Sequence, residues 1–285
     1  MSSPMNLPGA RSVFDNHVHL TPRGENVKAV LRFQSKGGTA INLISLPDME
    51  APPSGYYETV YSKTLDLANR VRAETTVKVM VSVGPYPLDY YMFQKAGLDP
   101  EDMMRRGIDM AAELFLDHRV NAMGELGRPH FPVEPEDLRK ITGIMEYAIE
   151  VASDIDCPLI LHTEDLGQSG FSELEHMASR HGIAPYRIVK HHALGADFKF
   201  QSMITKSTLA TRDNVHRAIE SGQDFMLETD FVDDPGKPDK VIPPDSVPRR
   251  AIMIAQQYED WERIFSRCFE EVPRKVYGID LLNPD

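Results

Sequence analysis

The sequence predicts an α/β fold, a single-domain (β/α)8 TIM barrel spanning residues 1–285. Three observations predict it. Short apolar runs alternate with amphipathic stretches along the chain. The alternation occurs eight times, and 285 residues over eight units is about 36 per unit, enough for a strand, a helix and two loops. The runs are rich in Val, Ile and Leu on both faces, as strands of a covered parallel sheet must be. An open doubly wound sheet is the competing architecture. It calls for a Gly-rich phosphate turn, and no G-x-G-x-x-G or Walker A motif is present.

The elements follow in order. Strands are expected at Ser12–Leu20, Thr39–Pro47, Val77–Gly84, Asn121–Gly127, Pro158–His162, Arg187–His191 and Asp224–Phe231, with a weaker one at Ile204–Thr211. Helices are expected where apolar residues recur at three- and four-residue spacing: Glu25–Gln34, Val60–Ala73, Asp102–Leu116 and Asp137–Ala152. Asp213–Ser221 reads as a short helix, capped by Thr211 or Asp213 and closed by Gly222. Pro248–Cys268 is one long helix or two short ones. Met49–Tyr57 and Gly84–Asp99 read as loops over the barrel mouth, the second holding Tyr86, Tyr90, Tyr91 and Phe93.

Several strands end in polar residues where the apolar run should continue. In the first, His17 and His19 are two apart and so share a face. The fourth ends Gly124-Glu125-Leu126-Gly127, the fifth at His162, the sixth at His191-His192, and the eighth at Glu228-Thr229-Asp230. In a barrel these ends meet at one rim. Converging imidazoles and carboxylates are poor partners for one another, and one or two divalent cations (Zn, Mn or Mg) resolve the conflict. A lone strand-end histidine is more often a hydrogen-bonded core residue. The combination of five strand ends is what points to metal. His118, His176, His181 and His216 fall on helices or helix ends and read as surface or structural. His130, Arg23, Arg128 and Lys190 are candidates for contacting substrate. For Arg23, Arg128 and Lys190 a solvated side chain is the more common reading.

These motifs resemble the TatD-like metal-dependent hydrolases of the amidohydrolase superfamily. The resemblance rests on Asp15-Asn16-His17-Val18-His19-Leu20, Met123-Gly124-Glu125-Leu126-Gly127, Leu161-His162-Thr163-Glu164, His191 with Gly195 four residues on, and Glu228-Thr229-Asp230. It extends to Glu271–Gly278, and Gly-Arg-Pro-His, Val-Lys-His-His, Thr-Arg-Asp-Asn-Val and Val-Pro-Arg-Arg resemble the archaeal TatD-related subgroup. The resemblance implies a TIM barrel with a mononuclear or dinuclear metal site. His17, His19 and Asp230 would hold one ion, Glu125 would bridge, and His162 and His191 would complete the second site, with His192 the alternative to His191. Asp230 and Glu125 are the implied catalytic residues. Gly-Arg-Pro-His replaces the family's usual Gly-Leu-Asp-Tyr, which alters the pocket wall.

A leading activity and its alternative follow as expectations, in that order. One is hydrolysis of phosphodiesters by an activated water, including DNase action on single-stranded DNA. The other is esterase or lactonase action on a small carbonyl compound. The balance of 31 basic and 43 acidic side chains gives a formal net charge of −12, which disfavours a protein that coats nucleic acid. Two cysteines, Cys157 and Cys268, cannot make a disulfide framework, so a reducing cytoplasmic setting is expected. The first ten residues do not read as a signal peptide, and no apolar run approaches the ~18 residues of a membrane span. Oligomeric state has no signature in the sequence.

Overall fold

The computed structural model describes residues 11–234 and 242–281. The expectation for residues 1–10 lies outside the described residues. Nine parallel strands are joined in one sheet: β1 Phe14–His19, β2 Ala40–Ile44, β3 Lys78–Val83, β4 Ala122–Gly127, β5 Leu159–His162, β6 Ile188–Ala193, β7 Thr205–Leu209, β8 Phe225–Glu228 and β9 Phe231–Val232. The spatial order is β8-β7-β6-β5-β4-β3-β2-β1-β9.

The eighth predicted strand forms in two pieces. Its first piece, β8, pairs with β7, and its second, β9, pairs with β1 through Val18 and Phe231. One stretch of chain therefore touches both ends of the sheet, which curls into the expected TIM-barrel-like form. Thr229 and Asp230 sit in the gap. Buried Asp15 on β1 secures this seam: it accepts from the Thr229 backbone N–H at 3.0 Å and the Thr229 hydroxyl at 2.7 Å. Burial pushes the Asp15 carboxyl up to about 8, against the pull of the Thr229 hydrogen bonds.

Among the described residues ten α-helices accompany the strands: α1 Val27–Ser35, α2 Tyr56–Glu74, α3 Asp89–Lys95, α4 Pro100–Leu116, α5 Pro135–Asp154, α6 Gly167–His181, α7 Arg212–Ser221, α8 Ser246–Gln257, α9 Trp261–Ser266 and α10 Val272–Tyr277. The Thr211 hydroxyl caps α7 by accepting from the Asn214 N–H at 3.3 Å, and Gly222 closes the helix at φ 67°. Pro248–Cys268 divides near Tyr258, whose extended backbone ends α8.

Two helices, α3 and α10, were not expected, and α6 was expected only around His176 and His181. Part of the predicted loop 84–99 is helix α3, which buries Tyr90 and Phe93. Helix α6 carries a regular apolar face of Phe171, Leu174, Met177 and Ala178, obscured in sequence by Gly167 and Gly170 at its start. Helix α10 buries Val272, Val276 and Tyr277, and the Tyr277 hydroxyl donates to Asn16 at 2.6 Å inside the barrel. No helix of the described residues is long and apolar enough to cross a membrane.

Candidate metal centre

The C-terminal strand ends bring the predicted residues together. His17 and His19 on β1 direct Nε2 to within 3.1 Å of each other. Glu125 Oε2 from β4 lies 3.3 Å from His17 Nε2 and 3.5 Å from His19 Nε2. Asp230 Oδ1 lies 3.9 Å and 3.6 Å from the same two nitrogens. On the other side, Glu125 Oε1 meets His191 Nε2 at 2.8 Å and also contacts His162 Nδ1. His162 Nδ1 and His191 Nε2 are 3.1 Å apart. Glu125 thus stands between two groups of donors, one carboxylate oxygen toward each.

Local backbone geometry makes this possible. Gly124 and Gly127 flank Glu125 at φ 147° and 135°. A Cβ on Gly124 would lie 2.6 Å from the Ile160 carbonyl, and one on Gly127 2.3 Å from that of His162. Glycine alone lets β4 lie this close to β5. His192 and Asp230 both adopt left-handed backbone at φ 50°, and their side chains meet, Nδ1 to Oδ2, at 2.9 Å. Two non-glycine residues in this costly region, in contact across the rim, mark a place where conformational strain is retained.

The outer nitrogens set the tautomers. His19 Nδ1 faces the Ile44 carbonyl at 3.1 Å, so its proton resides there and Nε2 presents a lone pair. His191 Nδ1 faces Glu228 at 3.3 Å, and Glu228 also accepts from the His192 backbone N–H at 2.7 Å. Glu228 is wholly buried and orients the β6 terminus. His17 Nδ1 is buried without a hydrogen-bond partner among the described residues.

The electrostatics follow from this crowding. Burial acts to raise Glu125, but His191 and His162 outweigh it and hold the carboxyl well below the usual range. Burial likewise opposes ionisation of Asp230, which His192 and the other imidazoles overcome, holding it below the ordinary carboxylate value. Burial lowers His17 and His162. His191 is pushed up to about 10, because Glu125 and Glu228 more than offset its burial.

The donor set fits a divalent cation. His17 Nε2, His19 Nε2, Glu125 Oε2 and Asp230 Oδ1 lie 3.1–3.9 Å from one another in the pairs given above. Ligands at about 2.0–2.2 Å around a tetrahedral ion stand about 3.4 Å apart. His17, Glu125 and His191 form a second close group, and His191, His192 and Glu228 a third. The fit is in the chemistry as well as the spacing, since the converging atoms are imidazole nitrogens and carboxylate oxygens, both ligand types for such an ion.

The candidate substrate residues separate. His130 lies in the cleft, its Nδ1 2.8 Å from His162 Nε2. Arg23 does not line the cleft; its side chain is 77% exposed and pairs with Glu50. Arg128 is buried and its guanidinium is held by Glu164 and Glu173. Lys190 does line the cleft and donates to the carbonyls of His191 at 2.8 Å and Thr163 at 3.3 Å. Sequence reasoning gave no role to Tyr86. Its ring meets His162 edge-on, centroids 5.1 Å apart, and it forms part of the cleft wall. The aromatic density of residues 84–99 was the available signal.

The family model described as TatD related DNase matches residues 14–278. The chain belongs to this family. It is a TatD-family hydrolase whose His, Glu and Asp cluster can hold a metal ion. Among relatives, an uncharacterized protein of Methanocaldococcus jannaschii is 27% identical over 277 residues, covering 94% of this chain and 96% of that protein. The structure is similar to a TatD-like protein of Archaeoglobus fulgidus, with TM-score 0.63 and 18% identity over 93% of this chain and 100% of the other. It is also similar to a variant of a phosphotriesterase-like lactonase from Deinococcus radiodurans, with TM-score 0.60 and 13% identity over 94% and 95% of the two chains. At these identities the structural likenesses establish the fold.

Proposed function

We propose that the protein is a metal-dependent hydrolase of small carboxylic esters or lactones. His17, His19 and Asp230 would hold one divalent cation, His162 and His191 a second, with Glu125 between them. When bound, such a cation lowers the pKa of water into the neutral range and offsets charge building on the attacked group. Asp230 is ionised at neutral pH and faces the centre, so its carboxylate can take a proton from the attacking water. His192 Nδ1, 2.9 Å from Asp230 Oδ2, orients that carboxylate. Glu228 holds His191 with Nε2 inward. His130 and Tyr86 line the cleft where the substrate would rest.

The observation that favours a small ester over a DNA strand is the charge of the cleft, a cavity of about 1040 Å³. Beyond the cluster its wall carries Asp165, Asp234 and an Arg128-paired Glu164, with one lysine, Lys190. Of the two arginines suited to phosphates, Arg23 pairs with Glu50 away from the cleft, and Arg128 is held by Glu173 and by Glu164 of the cleft wall. These wall carboxylates oppose a polyanionic strand away from the cations, whereas an uncharged ester is indifferent to them. Phosphodiester hydrolysis is the second reading, favoured by the family match. The buried thiols of Cys157 and Cys268, free among the described residues, support the cytoplasmic setting.

The test is an assay of Mn²⁺- or Zn²⁺-loaded protein on aryl esters, lactones, an aryl phosphodiester and single-stranded DNA. Metal-dependent turnover of esters or lactones that is lost in Asp230→Asn supports the proposal. Turnover confined to phosphodiesters or DNA, lost in the same variant, establishes the second reading instead.

A further inference from the structure

Beside the cleft lies a second cavity of about 680 Å³, within the ~300–1,000 Å³ range of small-molecule pockets. It is walled by Leu20, Leu46, Pro47, Val60 and Leu67. Leu46, Pro47, Met49 and Asp234 line both cavities, so the two share a wall after β2. Met49 stands at that junction with 74% of its surface exposed, and its unbranched thioether can reshape itself around a passing chain.

The polar atoms of this chamber are already engaged. The Thr64 hydroxyl donates to the Val60 carbonyl at 3.0 Å, and the Thr21 hydroxyl to the Asp233 carbonyl at 2.8 Å. At the outer rim Arg23 pairs with Glu50 and Lys63 with Asp48. Both cations are therefore neutralised, and the walls within are aliphatic. A charged or strongly polar ligand gains little in such a space, while an alkyl group gains by leaving water.

We propose that this chamber receives the apolar arm of the substrate. The ester group reacts at the His17, His19, Glu125 and Asp230 cluster, and an alkyl chain passes Pro47 and Met49 to lie between Leu20, Leu46, Val60 and Leu67. The inference rests on the ester reading and narrows it to esters or lactones bearing an aliphatic chain. It also explains the position of Arg23: paired with Glu50, it closes the chamber's rim.

Binding and turnover test it separately. Calorimetric titration of the protein with sodium acetate and sodium octanoate reads the chamber without catalysis. A fully buried methylene strengthens binding about fourfold, so two suffice for a tenfold preference. Wild type should bind octanoate at least tenfold more tightly than acetate. Thr64→Phe, which fills the chamber, should abolish that preference, and so should Met49→Asp, an exposed replacement that leaves the core untouched. On aryl esters, the octanoate-to-acetate ratio of kcat/KM should exceed ten in wild type and collapse in both variants. Octanoate binding that both variants weaken, without ester turnover, keeps the chamber and overturns the ester reading. Ester turnover with no chain-length preference, or a preference that both variants leave intact, overturns the chamber.

Discussion

Two buried polar clusters of this protein show opposite kinds of completeness. Asp89, at the start of α3, accepts from the Tyr56 hydroxyl at 3.1 Å, the Tyr57 hydroxyl at 3.1 Å and the Tyr86 backbone N–H at 3.1 Å. Donors meet acceptors throughout, and the cluster closes on itself. At the strand ends, His17 Nε2 and His19 Nε2 instead face each other at 3.1 Å, as do His162 Nδ1 and His191 Nε2, with Glu125 and Asp230 crowded against them. The first cluster is complete with protein atoms alone, and the second gathers atoms that can hold a cation. Burial of charge-bearing side chains is thus a poor guide to function by itself; the balance of donors against acceptors separates structure from site. The two are connected, because Asp89 fixes the Tyr86 backbone and Tyr86 forms part of the cleft wall.

The contrast breaks most sharply at Glu125. Glu125→Gln should lower kcat/KM by on the order of 10³ and reduce bound metal, measured by steady-state assay and elemental analysis. Full activity with one side of the carboxylate neutralised would remove Glu125 from the chemistry. Glu228→Gln should have a smaller effect, about 10–100-fold in metal affinity, because it acts by orienting His191. A metal titration of the two variants orders them.

The closed cluster offers a pH test. Burial raises the Asp89 carboxyl from 3.8 to about 7, despite the hydrogen bonds from Tyr56 and Tyr57. Between those values the folded state binds more protons than the unfolded state, so stability is greatest below the unfolded pKa and falls as pH rises toward 7. Wild type should lose up to about 4 kcal/mol of stability relative to Asp89→Asn across that window, whatever the offset between them. Urea unfolding at pH 4.5, 6 and 7.5 measures this, and a pH-independent difference would mean that Asp89 is ionised throughout. The smallest effect belongs to Arg23. With its charge already met by Glu50 outside the cleft, Arg23→Ala should change kcat/KM for short-chain esters less than about twofold.

Much of the site was legible because strand position and parity are local properties. His17 and His19 share a face by spacing alone, and five polar strand ends in a barrel can only converge. The choice between His191 and His192 was a question of which turns inward. The structure directs His191 to Glu125 and His192 to Asp230, and the left-handed backbone at His192 is what separates them. No pattern of residue types encodes that turn. The pairings of Arg23 with Glu50 and Arg128 with Glu173 were hidden for another reason: the partners come from distant segments, and a sequence does not show which carboxylate an arginine finds. Helix α3 was read as loop because Gly84, Pro85 and Pro87 precede it, although its buried face of Tyr90 and Phe93 is what holds it in place.

The cation itself can be located directly. Crystals grown with Zn²⁺ or Mn²⁺ and measured at that metal's absorption edge should show an anomalous peak about 2.0–2.2 Å from His17 Nε2, His19 Nε2 and an Asp230 oxygen, and none beside Asp89. A strand-end cluster with no peak at millimolar metal, and with its imidazoles and carboxylates still in contact, would contradict the account.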